Sequence, residues 1–168
     1  MRYEQVPSDP NPTFDSLESA VSYLDYMGGP STTIDVDEQA KIVRVEDEND
    51  PIRERRIAEA FRLIDFGFEK SDIEKYVQEG VYFRQINLSE YTRNDNSLRR
   101  YKSRIIGADG RTRELMEELT GASIQIGKKE IGIIGSYQEI EAVRTAITMV
   151  IQGAPHRTVY AHLEQTKV

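Results

Sequence analysis

The sequence predicts an α+β chain built from two small units, each a three-stranded sheet packed on helices. Three observations carry this. Short β-rich runs alternate with longer amphipathic runs along both halves. The pattern also recurs: Ala60-Phe-Arg-Leu-Ile-Asp-Phe-Gly67 and Ala146-Ile-Thr-Met-Val-Ile-Gln-Gly153 align at an offset of 86, and the strand pairs before them at offsets of about 88 to 90. Finally, a Gly-x-x-Gly turn (Gly107, Gly110) separates a basic, apolar lead-in from an amphipathic helix. Two glycines three apart let backbone approach a bulky visitor without Cβ interference.

In chain order, Thr32–Val36 and Lys41–Val45 read as a strand pair. Asp50-Pro51 starts a helix whose apolar side is Ile57, Ala60, Phe61 and Ile64, and Gly67 ends it. A further helix is expected over about 71–78, and Val81–Leu88 reads as a strand connecting the halves. In the second half, Leu98–Lys102 is expected as a strand and Ser103–Ile106 as a helical turn running into Gly107. After Gly110, Leu115, Met116 and Leu119 fall at helical spacing, with Gly121 placed to end that helix. Ser123–Ile126 and Ile131–Ile134 read as strands joined by the turn Gly127-Lys-Lys-Glu130. Ser136 caps a long helix to about Gln152, with Ile140, Val143, Ala146, Ile147, Val150 and Ile151 on one stripe; Pro155 opens a last one through about Glu164. The plan is β-α-α-β-β-α with an extra C-terminal helix, and the domains are expected at 1–92 and 93–168.

The net charge of −7 conceals an asymmetry. Residues 1–92 hold 10 Lys and Arg against 20 Asp and Glu, whereas residues 93–168 hold 12 against 9. Within 93–113, Arg93, Arg99, Arg100, Lys102, Arg104, Arg111 and Arg113 face only Asp95 and Asp109, and Lys128 and Lys129 form a second small cluster. Phosphate binding depends on local potential, so an acidic average does not exclude nucleic acid. With no cysteine and only His156 and His162 as imidazoles, thiol chemistry and a zinc centre are not expected. Neither a membrane span nor a signal peptide is legible, so a cytoplasmic protein is expected.

The order β-α-Gly-x-x-Gly-α-β-β-α resembles a type I KH domain, a module that binds RNA or single-stranded DNA. The whole chain is similar to the archaeal two-KH-domain ribosome-assembly family. The resemblance rests on Tyr101-Lys-Ser-Arg-Ile-Ile-Gly-Ala-Asp-Gly-Arg-Thr-Arg113, Ile131-Gly-Ile-Ile-Gly135 and Gly153-Ala-Pro-His-Arg-Thr-Val-Tyr160. It implies tandem type I KH-like domains, with single-stranded RNA near the 3′ end of small-subunit rRNA as ligand. Its eukaryotic relative partners the endonuclease that matures this end, so a pre-rRNA endonuclease or a translation initiation factor is an implied partner. Members of the family usually carry a second glycine turn in the first KH unit. Here the corresponding segment, Pro7-Ser-Asp-Pro-Asn-Pro-Thr-Phe-Asp-Ser16, has no glycine, and no basic residue stands between Arg2 and Lys41. The first half is therefore expected to be a degenerate KH-like domain.

The resemblance assigns the sugar–phosphate backbone to Gly107, Ala108, Asp109 and Gly110, and the bases to an apolar floor of Ile105, Ile106, Met116, Ile124 and Ile126. Amides from Gly110 to Thr112 would begin a helix, where free donors and the dipole favour a phosphate. Arg111 and Arg113 add charge-assisted bonds. Asp109 is expected to point away and cap the helix or hold one of these arginines. Lys102 and Arg104 are either phosphate contacts or solvated strand residues, and Met116 is divided between core and groove. Lys128 and Lys129 join the candidate surface by charge. By resemblance, Pro155, His156, Arg157 and Tyr160 touch rRNA or brace the two halves; Tyr160, at helical spacing, reads as a core or interface residue before a stacking platform. No catalytic residue, metal or cofactor is expected: no Gly-Lys-Ser/Thr phosphate loop or Gly-x-Gly-x-x-Gly follows a strand. The alternative reading is a protein–protein adaptor whose acidic first half docks an assembly or translation-factor partner.

Overall fold

The structure is a computed structural model and describes residues 1–7, 13–78 and 80–167. The chain divides into two compact units, Met1–Glu79 and Gly80–Val168.

In the first unit the order is β1 (Arg2–Gln5), α1 (Leu17–Gly28), β2 (Thr32–Asp37), β3 (Ile42–Asp47), α2 (Pro51–Phe66) and α3 (Lys70–Tyr76). The sheet is antiparallel with β3 in the centre, in the order β1-β3-β2. Helix α2 starts where the sequence predicts. The Asp50 carboxylate accepts from the amides of Ile52 and Arg53 at 3.1 and 3.0 Å, and Pro51 stands where its missing N–H costs nothing. The helix buries Ile57, Ala60, Phe61 and Ile64 and stops at Gly67, which is left-handed at φ 99°. Buried Asp47 pins the turn between β3 and α2. Its carboxylate accepts from the hydroxyls of Ser31 and Thr32 at 3.1 and 2.8 Å and from the amides of Asn49 and Asp50 at 3.0 and 2.9 Å. Burial alone would raise its pKa, but these four donors outweigh it and hold the carboxyl below its ordinary range. Of the proline-rich segment 7–16, residues 8–12 lie outside the described residues. Ser16 then caps α1, accepting from the Ser19 amide at 3.1 Å.

In the second unit the order is β4 (Tyr82–Asn87), α4 (Asp95–Ile106), a 3-10 turn (Ala108–Gly110), α5 (Arg111–Thr120), β5 (Ser123–Ile126), β6 (Glu130–Gly135), α6 (Tyr137–Ile151) and α7 (His156–Thr166). The sheet repeats the topology of the first, antiparallel in the order β4-β6-β5. Its register sets Ile86 against Ile131 and Ile124 against Ile133, so one face supplies apolar side chains to the helices. Ile105, Met116, Ile140, Val143, Ile147, Val159 and Leu163 complete that core.

Two expectations are corrected. Residues 98–102 are not a strand but the middle of α4. Asn94 caps it, accepting from the amides of Asn96 and Ser97; Leu98, Tyr101 and Ile105 fall on one helical stripe, of which Leu98 and Ile105 pack into the core. The opening strand of the second unit is instead β4, which the sequence suggests only as a connector. Because β4 pairs with β6 along its whole length, the boundary lies between Glu79 and Gly80 and not at 92/93. Among the described residues no helix is long and apolar enough to cross a membrane.

Candidate nucleic-acid interface

Helix α4 ends at Gly107 (φ 76°), whose amide closes on the Ser103 carbonyl at 2.9 Å. The chain then makes a single 3-10 turn and enters α5 through Gly110 (φ 78°). The two glycines are required for different reasons. A Cβ on Gly107 would lie 2.1 Å from Thr112 Oγ1, so the turn is folded tightly onto the first turn of α5. At Gly110 a Cβ would meet nothing within 4 Å; conformation alone demands glycine there, and the position is open to a ligand. Asp109, between them, is left-handed at φ 53° and exposed, a conformation that Asp tolerates better than most residues.

Helices α1, α2, α4 and α6 each have a side-chain N-cap, from Ser16, Asp50, Asn94 and Ser136. Helix α5 has none and begins on bare Gly110. The capping role expected of Asp109 is therefore not realised. Nor does Asp109 hold an arginine: Arg111 lies 3.9 and 3.8 Å from Glu114 and Glu118, and Arg113 donates to the Ile124 carbonyl at 3.4 Å. Two of the amides expected to be free are in use, since Gly110 N–H donates to the Gly107 carbonyl at 3.2 Å and Arg111 N–H to the Ala108 carbonyl, both within the 3-10 turn. The amino end of α5 still has its dipole and no side-chain acceptor, which favours a phosphate there.

The apolar floor is narrower than expected. Ile105 and Met116 are fully buried and Ile124 nearly so; all three sit in the core beneath the surface and support the floor without forming it. Ile106 and Ile126 are half-exposed and remain available. Arg104 is committed inside the protein: its guanidinium donates to the carbonyls of Val150 at 2.7 Å and Ala154 at 2.6 Å, closing the carboxyl end of α6. It is neither a free phosphate contact nor a solvated strand residue. Lys102 is half-exposed, while Arg93, Arg99, Arg100 and Arg157 are exposed, and none of the five has a carboxylate partner among the described residues. Lys128 and Lys129 occupy the exposed β5–β6 turn, which closes through the Gly127 amide and the Glu130 carbonyl at 2.8 Å.

Thr112 is buried, and its Oγ1 accepts from the Tyr160 hydroxyl at 3.1 Å. His156 Nε2 lies 2.9 Å from the Arg104 carbonyl, an acceptor, so this nitrogen carries the proton. Its ring stacks on Tyr160, with centroids 6.1 Å apart. Both residues thus brace the two helices that flank the glycine turn. Sequence reasoning placed Tyr160 in core or interface but had no signal for its partner 48 residues away.

Residues 82–168 match the PNO1 second-domain family, described as the eukaryotic-type KH domain (KH domain type I). A KH domain-containing protein of Methanocaldococcus jannaschii is 30% identical over 139 residues, 83% of this chain and 61% of that protein. The pre-rRNA-processing protein pno1 of Emericella nidulans is 34% identical over 89 residues, 52% of this chain and 34% of that protein. The chain thus spans between a third and two thirds of the length of these relatives. A chain of the a/eIF2α–aDim2p–rRNA complex from Pyrococcus horikoshii superposes with a TM-score of 0.84 at 29% identity, covering 99% of this chain and 93% of that one. With β4 through α7 arranged around a glycine turn and the match spanning all of them, the chain belongs to the PNO1-type family of type I KH-domain proteins.

Proposed function

We propose that the second unit binds single-stranded RNA through the Gly107–Gly110 turn, and that the protein is a cytoplasmic small-subunit assembly factor acting near the 3′ end of small-subunit rRNA. It does so without catalysis of its own. The observation that carries this is the amino end of α5, uncapped and opened by a glycine with empty space around it. A KH groove takes about four unpaired nucleotides, with the backbone on such a turn and the bases over an apolar floor. Ile106 and Ile126 supply the accessible part of that floor. The rRNA target and a translation-initiation-factor partner draw support from the relatives, one of which is a pre-rRNA-processing protein and another an rRNA and a/eIF2α complex.

The test is binding of labelled RNA matching the small-subunit rRNA 3′ end, against a scrambled strand and a duplex, by wild type and Ala108→Asp. Ala108 is exposed, so the substitution places a second carboxylate in the turn without disturbing the core. Sequence-dependent binding that is lost in the folded variant is the expected result. Weak binding to every RNA, unchanged by the substitution, would move the adaptor reading to first place. That reading has one observation in its favour: α1 of the first unit exposes Glu18, Asp25 and Tyr26, and no cation lies between Arg2 and Lys41.

A further inference from the structure

Helix α7 follows the last element of the β-α-α-β-β-α plan, yet its side chains reach both sides of the glycine turn. On the α4 side, His156 Nε2–H donates to the Arg104 carbonyl at 2.9 Å, in the last turn before Gly107. On the α5 side, the Tyr160 hydroxyl donates to Thr112 Oγ1 at 3.1 Å, in the first turn after Gly110. Val159 and Leu163, both buried, fix α7 to the core beside these contacts. The two polar residues are four apart, hence one above the other on a single face, and their rings stack. Thr112 is also the residue against which Gly107 is folded. A change in the Thr112 side chain is therefore transmitted to the turn itself.

We propose that Tyr160 is a positioning residue for the RNA clamp: through Thr112 it sets the distance and direction of the turn's amides, so that Tyr160 acts on binding through the turn and not by contact with the ligand. This rests on the RNA reading above. The hydroxyl is the part that matters, because the ring alone could pack without fixing Thr112. Preorganised donors bind an anion without first having to be ordered, so loosening them lowers affinity even when every contacting group remains.

The test uses the full chain with Tyr160→Phe, Thr112→Val, their combination, and Thr112→Ser, which keeps the hydroxyl. Affinity for the 3′-end RNA is measured well below the unfolding temperature, and amide hydrogen exchange at residues 107–113 is measured in the free protein. Tyr160→Phe and Thr112→Val should each weaken binding about three- to five-fold and speed exchange in the turn, and the pair should do no worse than either alone. Thr112→Ser should bind within about two-fold of wild type. A merely structural bond would lower the melting temperature and leave affinity and local exchange unchanged, and that result overturns the proposal. Were wild type to bind no RNA while Tyr160→Phe still quickened exchange at the turn, the RNA reading would fall and the brace would stand.

Discussion

Thr112 occupies the space that a side chain on Gly107 would need. The conflict involves its amide nitrogen and Cβ as well as its hydroxyl, at 2.7 and 2.6 Å from the position of the absent Cβ, so rotating the threonine cannot relieve it. Gly107→Ala should destabilise the second unit by about 3 kcal/mol, the sum of an unfavourable φ and a steric clash. Gly110→Ala carries only the conformational term, about 1 kcal/mol, because its surroundings are empty. Urea unfolding separates the two, and Gly110→Ala should remain folded while losing RNA affinity.

Arg104 should behave as a structural residue despite lying in the basic run. Arg104→Gln removes charge-assisted bonds to two carbonyls at the end of α6 and should cost about 2 kcal/mol. If RNA binding is measured on the folded protein, its salt dependence should be unchanged. A smaller salt slope would show that the guanidinium reaches phosphate.

Arg99 should behave oppositely. It is exposed and has no carboxylate partner among the described residues. Arg99→Gln should leave stability within about 0.5 kcal/mol of wild type. If Arg99 neutralises one phosphate of a single strand, its removal should reduce the magnitude of the salt slope by about 0.7. Arg55→Gln, which breaks the 3.2 Å pair with Glu59 in the first unit, serves as the control and should not move the slope.

Asp47 predicts acid lability of the first unit. Its folded pKa lies below the ordinary 3.8, so its stabilising contribution is complete above that value and disappears as pH falls through the folded pKa. Asp47→Asn should therefore lower the melting temperature at neutral pH. The gap from wild type should narrow as pH drops below 3.8. A gap independent of pH would mean that the carboxylate charge contributes nothing.

Asp109→Asn keeps a residue that tolerates the left-handed region and removes a negative charge from the tip of the turn. RNA affinity should rise several-fold with no loss of stability. Weaker binding would assign the carboxylate a direct contact.

Much of this architecture is legible in the sequence, because the signals are local. The strand pair before α2, the Asp50-Pro51 start, the Ser136 cap and the apolar stripe of α6 each depend on residues a few positions apart. The glycine turn is legible for the same reason. Helix α4 is legible in principle, from Asn94 and from the spacing of Leu98, Tyr101 and Ile105, but the β-like run up to Lys102 obscures it. The fate of Arg104 is different in kind. Its partners lie 46 and 50 residues away, and nothing near it in the chain distinguishes an arginine that closes a helix from one that meets phosphate. Asp109 shares the difficulty, since capping depends on where the backbone directs a side chain and not on which residue stands there.

The pairing of β4 with β6 has a practical consequence for anyone dissecting the protein. A fragment starting at residue 93 retains the glycine turn and every basic residue around it, yet leaves one side of β6 with unpaired amides and carbonyls. Such an edge is a template for another chain, and the fragment should self-associate. Any loss of RNA affinity in it would then reflect aggregation. A fragment starting at Gly80 carries its own edge strand and keeps β6 covered on both sides.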